Sequence, residues 1–291
     1  MNNTNTEITH ESTLYAEQIA HVHTFPITNS LITSWLAVFI IVLLSILLRV
    51  YLKKIPGKIQ NFFEILIEGA LSIGDQVTGS RKVTEKVFPI AICIFFFVLI
   101  NNWLGLLPLG GFGLVENNSF IPFLRSGTAD INTTIALAVM SVVGANIFGI
   151  FSLGAWKMFN KYVNLKALGQ IVKKVRKEPT IIIVAPIQVF VGFIEIVGEL
   201  AKIASLSFRL FGNVFAGEVL LASMGAILAY VLPVPFMFLE VIVGIIQAFI
   251  FSMLTVVYFT IASQDHEEHD EEHHSVENGA HGEHNLVVNN K

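Results

Sequence analysis

Long uncharged apolar runs alternate with short polar segments along this chain. No Asp, Glu, Lys or Arg occurs in 31–48, 88–115 or 131–156, and each run can supply the roughly 20 residues an apolar helix needs to cross a bilayer. The first run predicts a span closed by Arg49, Lys53 and Lys54, after which Pro56-Gly57 breaks the helix. Across 58–77, Phe62, Phe63, Leu66, Ile67 and Ala70 recur at i, i+4 and i+8, while Lys58, Glu64, Glu68 and Asp75 take other angles. That pattern predicts an amphipathic helix at the membrane surface or against a partner. A second span is expected over 88–107, with Trp103 at an interface and Pro108 as the stop. A third follows over 131–156, where Ala136, Ala138, Ser141, Gly144, Ala145 and Gly149 permit close helix packing. The last run, 181–262, predicts a long hairpin broken near Leu232-Pro-Val-Pro235.

These elements define an all-α polytopic membrane protein of about five membrane-crossing helices plus an amphipathic surface helix. Composition agrees, with 54% hydrophobic and 14% charged residues where a soluble domain carries about a quarter charged. Residues 1–30 form a polar, flexible extension without Lys or Arg, unlike a cleaved signal peptide. Residues 31–263 form the membrane domain, with 181–263 as its ion-pathway hairpin, and 264–291 an acidic, His-rich tail. The tail lacks an apolar framework to fix a metal site, so it reads as solvated and disordered. The net charge of −4 averages that tail with basic loops. Cys93 excludes an intrachain disulfide and reads as a small buried hydrophobe. Lys and Arg concentrate at 49–86 and 157–177, whereas the connector after the second span has only Arg125. The positive-inside rule places both basic loops in the cytoplasm, the N-terminus outside and the C-terminus inside.

Candidate chemistry lies in the last hairpin. Between 181 and 262 the charged residues are Glu195, Glu199, Lys202, Arg209, Glu218 and Glu240. A separation of seven returns a side chain to within about 20° on an α-helix, and Gln188, Glu195, Lys202 and Arg209 follow at successive sevens. Glu199 and Asn213 lie beside that line, so one helix face carries a polar stripe. Glu218 falls on the opposite side from Arg209, within reach of a second helix. On the return arm Glu240 and Gln247 share a face, and the pairs Arg209/Gln247 and Glu218/Glu240 have nearly constant index sums. An antiparallel turn centred near Ala229 therefore brings Glu218 level with Glu240. A guanidinium cannot shed its proton to escape burial, and at mid-membrane depth it costs roughly 2.5–3.5 kcal/mol on insertion scales. Arg209 is thus a functional residue by default, and a chain of ionisable groups marks an ion route.

At these residues the chain resembles subunit a, the stator channel subunit of the rotary F-type ATP synthase, in its bacterial form. The resemblance rests on Ser207-Phe-Arg-Leu-Phe-Gly-Asn-Val-Phe-Ala-Gly-Glu218, Gln247-Ala-Phe-Ile-Phe-Ser-Met-Leu-Thr-Val-Val-Tyr258, Thr128-Ala-Asp-Ile-Asn-Thr-Thr134 and Asn102-Trp-Leu-Gly-Leu-Leu-Pro108. It implies a non-catalytic, proton-translocating subunit without cofactor or bound metal, in the bacterial plasma membrane. Its partners would be a ring of small carboxylate-bearing c subunits, b-type peripheral stalk subunits, the bilayer and, indirectly, the soluble F1 head, with no nucleic acid. Arg209 would face the ring carboxylates as the barrier between two offset half-channels, with the hairpin packed on the ring. Asn213, Glu218, Glu240 and Gln247 would line the outer route, with Asp130 near its entrance. Glu195, Lys202 and Glu199 would line the inner one. Some relatives carry a histidine at the Glu240 or Glu218 position. None of the nine histidines here lies in a predicted span, so any relay uses carboxylates and water.

Two other classes compete. A stand-alone secondary cation/proton transporter would want an internal repeat and broken helices, and neither is visible. An inert membrane anchor has no use for the polar stripe.

Overall fold

The computed structural model describes residues 15–22, 25–53, 57–107, 113–116, 119–122, 124–156, 158, 181–228 and 231–263. Six long helices and two short hairpins make up most of them: β1 (Gln18–Val22), β2 (Phe25–Thr28), α1 (Asn29–Tyr51), α2 (Lys58–Thr78), α3 (Arg81–Leu106), β3 (Gly113–Glu116), β4 (Ser119–Pro122), α4 (Ile131–Leu153), α5 (Ile181–Ile227) and α6 (Pro233–Ser263). A 3-10 turn, Gly127–Ala129, leads into α4. Five of the helices, all but α2, are long and apolar enough to cross a membrane. Lipid offers the backbone no hydrogen bonds, so such segments satisfy their own as helices.

Local chemistry sets the helix ends. The Thr28 hydroxyl accepts from the Leu31 N–H at 3.4 Å to cap α1, and the Asp130 carboxylate accepts from the Asn132 N–H at 3.1 Å to cap α4. Helix α2 stops at Gly79 (φ +68°) and α4 at Gly154 (φ +95°), conformations that favour glycine. Helix α3 begins seven residues before the predicted 88, because its first turns are charged and the uncharged run marks only the part that lipid can cover.

The core lies between α3, α4, α5 and α6. Ile94, Val98, Leu99, Ala138, Leu206, Leu210, Ala248 and Phe251 form one buried cluster, and Val87, Ala91, Ala145, Met158, Val256, Phe259 and Ala262 a second. Small residues bring backbones together: a Cβ at Gly149 would meet the Ala262 carbonyl oxygen at 2.5 Å. Hydroxyls bridge the helices, with Ser252 donating to the Ala91 carbonyl at 2.8 Å and Thr134 bonded to Ser207 at 3.1 Å. The outer face is apolar, as a lipid-facing surface must be. Along α1 the half after Ala37 splays from the bundle, leaving Phe39, Val42, Leu44 and Ile46 exposed beside a cleft of about 930 Å³ shared with α2 and α3.

Helix α5 has 47 residues, about 70 Å at 1.5 Å per residue. A hydrocarbon core is only about 30 Å thick. A perpendicular crossing would therefore use less than about half of its length, and inclination, curvature or emergence from the hydrocarbon takes up the rest.

Two expectations are corrected, the flexibility of residues 1–30 and the burial of Cys93. The segment read as a flexible extension contains β1 and β2, paired antiparallel from Gln18↔Thr28 to Val22↔Phe25. The connector before α4 likewise contains the β3–β4 hairpin. Both dock at Asn29, whose N–H donates to the Glu17 carbonyl at 3.1 Å and whose side chain donates to the Pro122 carbonyl at 3.4 Å. Cys93 is exposed on α3 rather than buried. The tail 264–291 and most of the basic loop 157–177 lie outside the described residues.

Candidate functional site

Helices α5 and α6 meet where Gly217 faces Glu240. A Cβ at Gly217 would overlap the Glu240 carboxyl, so only glycine lets that group rest against the α5 backbone. Next to this contact is a cavity of about 380 Å³, lined among others by Asn102, Arg125, Ser126, Glu218 and Glu240. The level match expected from the hairpin arithmetic places both carboxylates on one cavity, with a third charge beside them. Arg125 is 5% exposed, and its Nε donates to Glu218 Oε2 at 3.1 Å and lies 2.9 Å from Oε1. Its Nη2 donates to Oε2 at 3.0 Å, and Nη1 to the Tyr15 carbonyl at 3.0 Å. Glu240 has no hydrogen-bond or charge partner among the described residues.

Sequence reasoning missed Arg125, counting it only as the lone base of a connector. One signal was available: between 87 and 156 the only charges are Glu116, Arg125 and Asp130. The segment carrying Arg125 is locked by a buried polar network. Ser126 donates to the Asn101 carbonyl at 3.1 Å, and Thr128 donates to Asn102 Oδ1 at 2.6 Å. Gly127 sits where a Cβ would overlap the Ser34 hydroxyl and the Asn101 side-chain carbonyl. Gly127→Ala is therefore expected to destabilise the chain by about 1–3 kcal/mol, the usual overpacking range, read as a lowered melting temperature of the detergent-solubilised protein.

The Arg209 face is different. Leu206, Ser207 and Leu210 are buried, so Arg209 points out of the bundle, exposed, with no partner among the described residues. Around it the exposed face of α5 carries Ala201, Ala204, Ser205, Gly212 and Ala216. Toward the start of α5, Lys202 donates to Glu199 at 2.8 Å and lies 5.6 Å from the Tyr258 ring centroid. Asn146 of α4 donates to the same carboxylate at 3.2 Å. Glu195 lies one turn before Glu199, half-buried and engaged in an interaction of its own.

Of the remaining expected residues, Asn213 is half-buried and Gln247 is buried with its Nε2 lacking a hydrogen-bond partner. Asp130 caps α4 and accepts from the Ser30 hydroxyl at 3.3 Å. It does not line the cavity, although its neighbour Ala129 does. The Gln188 side chain lies outside the described residues. No cluster of three or more potential metal ligands occurs among the described residues.

Fold and site together define a multi-pass helical membrane protein with six charged residues on two neighbouring spans. Residues 31–260 match the family model described as ATP synthase A chain. The "ATP synthase subunit a" of Mycobacterium bovis is 33% identical over 249 residues, covering 83% of this chain and 89% of that protein. That of Geotalea daltonii is 33% identical over 225 residues (77% and 83%), and that of Gloeobacter violaceus 32% over 241 residues (83% and 86%). The chain belongs to the ATP synthase A chain family.

Proposed function

We propose that this chain is the proton-translocating stator subunit of an F-type ATP synthase membrane sector. The observation that carries this is Arg209: a permanent cation exposed at mid-span, without a counter-charge among the described residues. Leaving such a group in lipid is unfavourable, so another chain supplies the opposite charge. The small residues around it let a second helix approach closely. A ring of small subunits, each with a carboxyl, meets both needs.

Polar groups flank Arg209 along α5 in both directions. Glu218 is nine residues further on, about 13 Å, and Glu199 and Lys202 are seven to ten residues back, about 10–15 Å. A proton entering by the Glu218–Glu240 cavity neutralises a ring carboxylate, which then turns into lipid at far lower cost than its ionised form. It leaves by the Glu195, Glu199 and Lys202 side. Asn213 and Gln247 line the outer route, and Asp130 holds the start of α4 beside it. Arg209 favours the ionised carboxylate between the two routes and repels a proton that would cross directly. Each charge crossing 100 mV supplies roughly 2.3 kcal/mol, and no bond chemistry occurs in this chain. The positive-inside rule sets the N-terminus outside and the C-terminus in the cytoplasm of a bacterial plasma membrane. Peripheral stalk subunits of b type keep the chain from turning with the ring and link it to the F1 head.

Cross-linking tests this arrangement. Ser205→Cys, on the exposed Arg209 face, is expected to form a disulfide with a cysteine placed beside the ring carboxyl. Phe151→Cys, on the most exposed apolar position of α4 (84% exposed), is expected to form none. Absence of the Ser205 cross-link in an assembled complex overturns the proposal.

A further inference from the structure

We propose that Arg125 is a positioning residue of the outer proton route: it holds Glu218 as a fixed counter-ion and leaves Glu240 as the carboxyl that takes up and releases the proton. This rests on the proton-route role proposed above and divides labour within it.

Geometry separates the two carboxyls. Both Glu218 oxygens lie within 3.1 Å of guanidinium nitrogens of Arg125. A guanidinium does not give up its proton, so this fork orients its partner without relaying anything itself. The fork is anchored from behind, since Nη1 is bonded to the Tyr15 carbonyl beside the N-terminal hairpin. Glu240 lines the same cavity from α6, rests on Gly217 and has no partner among the described residues. Arg125, Glu218 and Glu240 are the charged side chains lining this cavity. Pairing the first two leaves a single carboxyl whose charge only a proton can neutralise. Asp130, the nearest other acid in sequence, is turned to Ser30 and the start of α4.

The same geometry gives the polar motifs a purpose. Asn101 and Asn102 on α3 hold Ser126 and Thr128, and Gly105 leaves room for Ser126, whose Cβ a side chain at 105 would meet at 2.5 Å. Gly127 fits between Ser34 and Asn101. All of these immobilise the three residues that follow Arg125, which aims its fork across the cavity at a helix 93 residues away in sequence.

The test uses the assembled complex in inverted membrane vesicles, measuring ATP-driven proton uptake against pH for the parent, Arg125→Lys, Arg125→Gln, Glu218→Gln, Glu240→Gln and Arg125→Gln/Glu218→Gln. Arg125→Gln is expected to lower flux at least about tenfold, and the double variant to lie within about twofold of Glu218→Gln, because residues acting through one contact are not additive. With the guanidinium gone, two facing carboxylates compete for one proton, so the flux profile of Arg125→Gln moves toward alkaline pH. Arg125→Lys keeps the charge but not the fork; it assembles, loses flux and shows an altered profile. The proposal is overturned if the Arg125 and Glu218 losses multiply, or if Arg125→Lys assembles with parental flux and profile. Parental flux in Glu240→Gln removes the outer route itself, a failure distinct from one confined to Arg125.

Discussion

Replacing Arg209 with alanine is expected to abolish proton-driven ATP synthesis while the amount of membrane-inserted chain stays near normal. The side chain makes no bond within the described chain and points away from the buried Leu206 and Leu210, so its loss leaves no cavity in the core and no orphaned partner. Insertion becomes easier, since a mid-membrane arginine opposes it by roughly 2.5–3.5 kcal/mol. What disappears is the fixed charge between the two routes. Without it the ring carboxyl has no ionised resting place at the crossover, and a proton can pass from one route to the other without turning the ring. The variant should therefore leak protons as well as fail in synthesis. Synthesis by Arg209→Ala membranes at the parental rate, with matched chain levels on immunoblots, would remove Arg209 from the mechanism.

Changing both cavity carboxyls, Glu218→Gln with Glu240→Gln, is expected to slow proton entry by roughly 10²-fold, the lower end of what a positioned acid–base group contributes. Glutamine is nearly isosteric and keeps a carbonyl acceptor for the Arg125 fork, so the packing around Gly217 changes little. The titratable oxygens are lost. Glu268→Gln in the acidic tail serves as the control, an acid removed with no lining role assigned to it. Entry is measured as the rate of ring turnover driven by an imposed pH gradient. Equal slowing by the control change would show that surface charge, not the cavity, limits entry.

The sequence made the spans legible because each apolar run is longer than any buried helix of a small soluble core would need. Even the register of the hairpin was readable, since two polar pairs with nearly equal index sums fix how antiparallel arms align, and Gly217 lies against Glu240 accordingly. Other features were hidden for physical reasons. The strands β1 to β4 are four or five residues long, too short to stand alone in water; they exist because Asn29 docks both hairpins. Cys93 sits in a helix apolar on every side, where periodicity cannot say which face meets lipid. Arg125 was hidden because its partner is distant in sequence and local pattern carries no trace of a long-range ion pair.

An inclined α5, one way to accommodate its length, would have a consequence for motion. Along an upright helix, Glu199 and Glu218 would point about 100° apart and differ chiefly in depth. On a slanted helix the same nineteen residues also separate them sideways, along the rim of whatever cylinder rolls past. In the function proposed above, an ion that descends through the membrane would then travel around that rim before leaving, and the slope of a single helix would convert a vertical fall into an angular step, as a thread does on a screw.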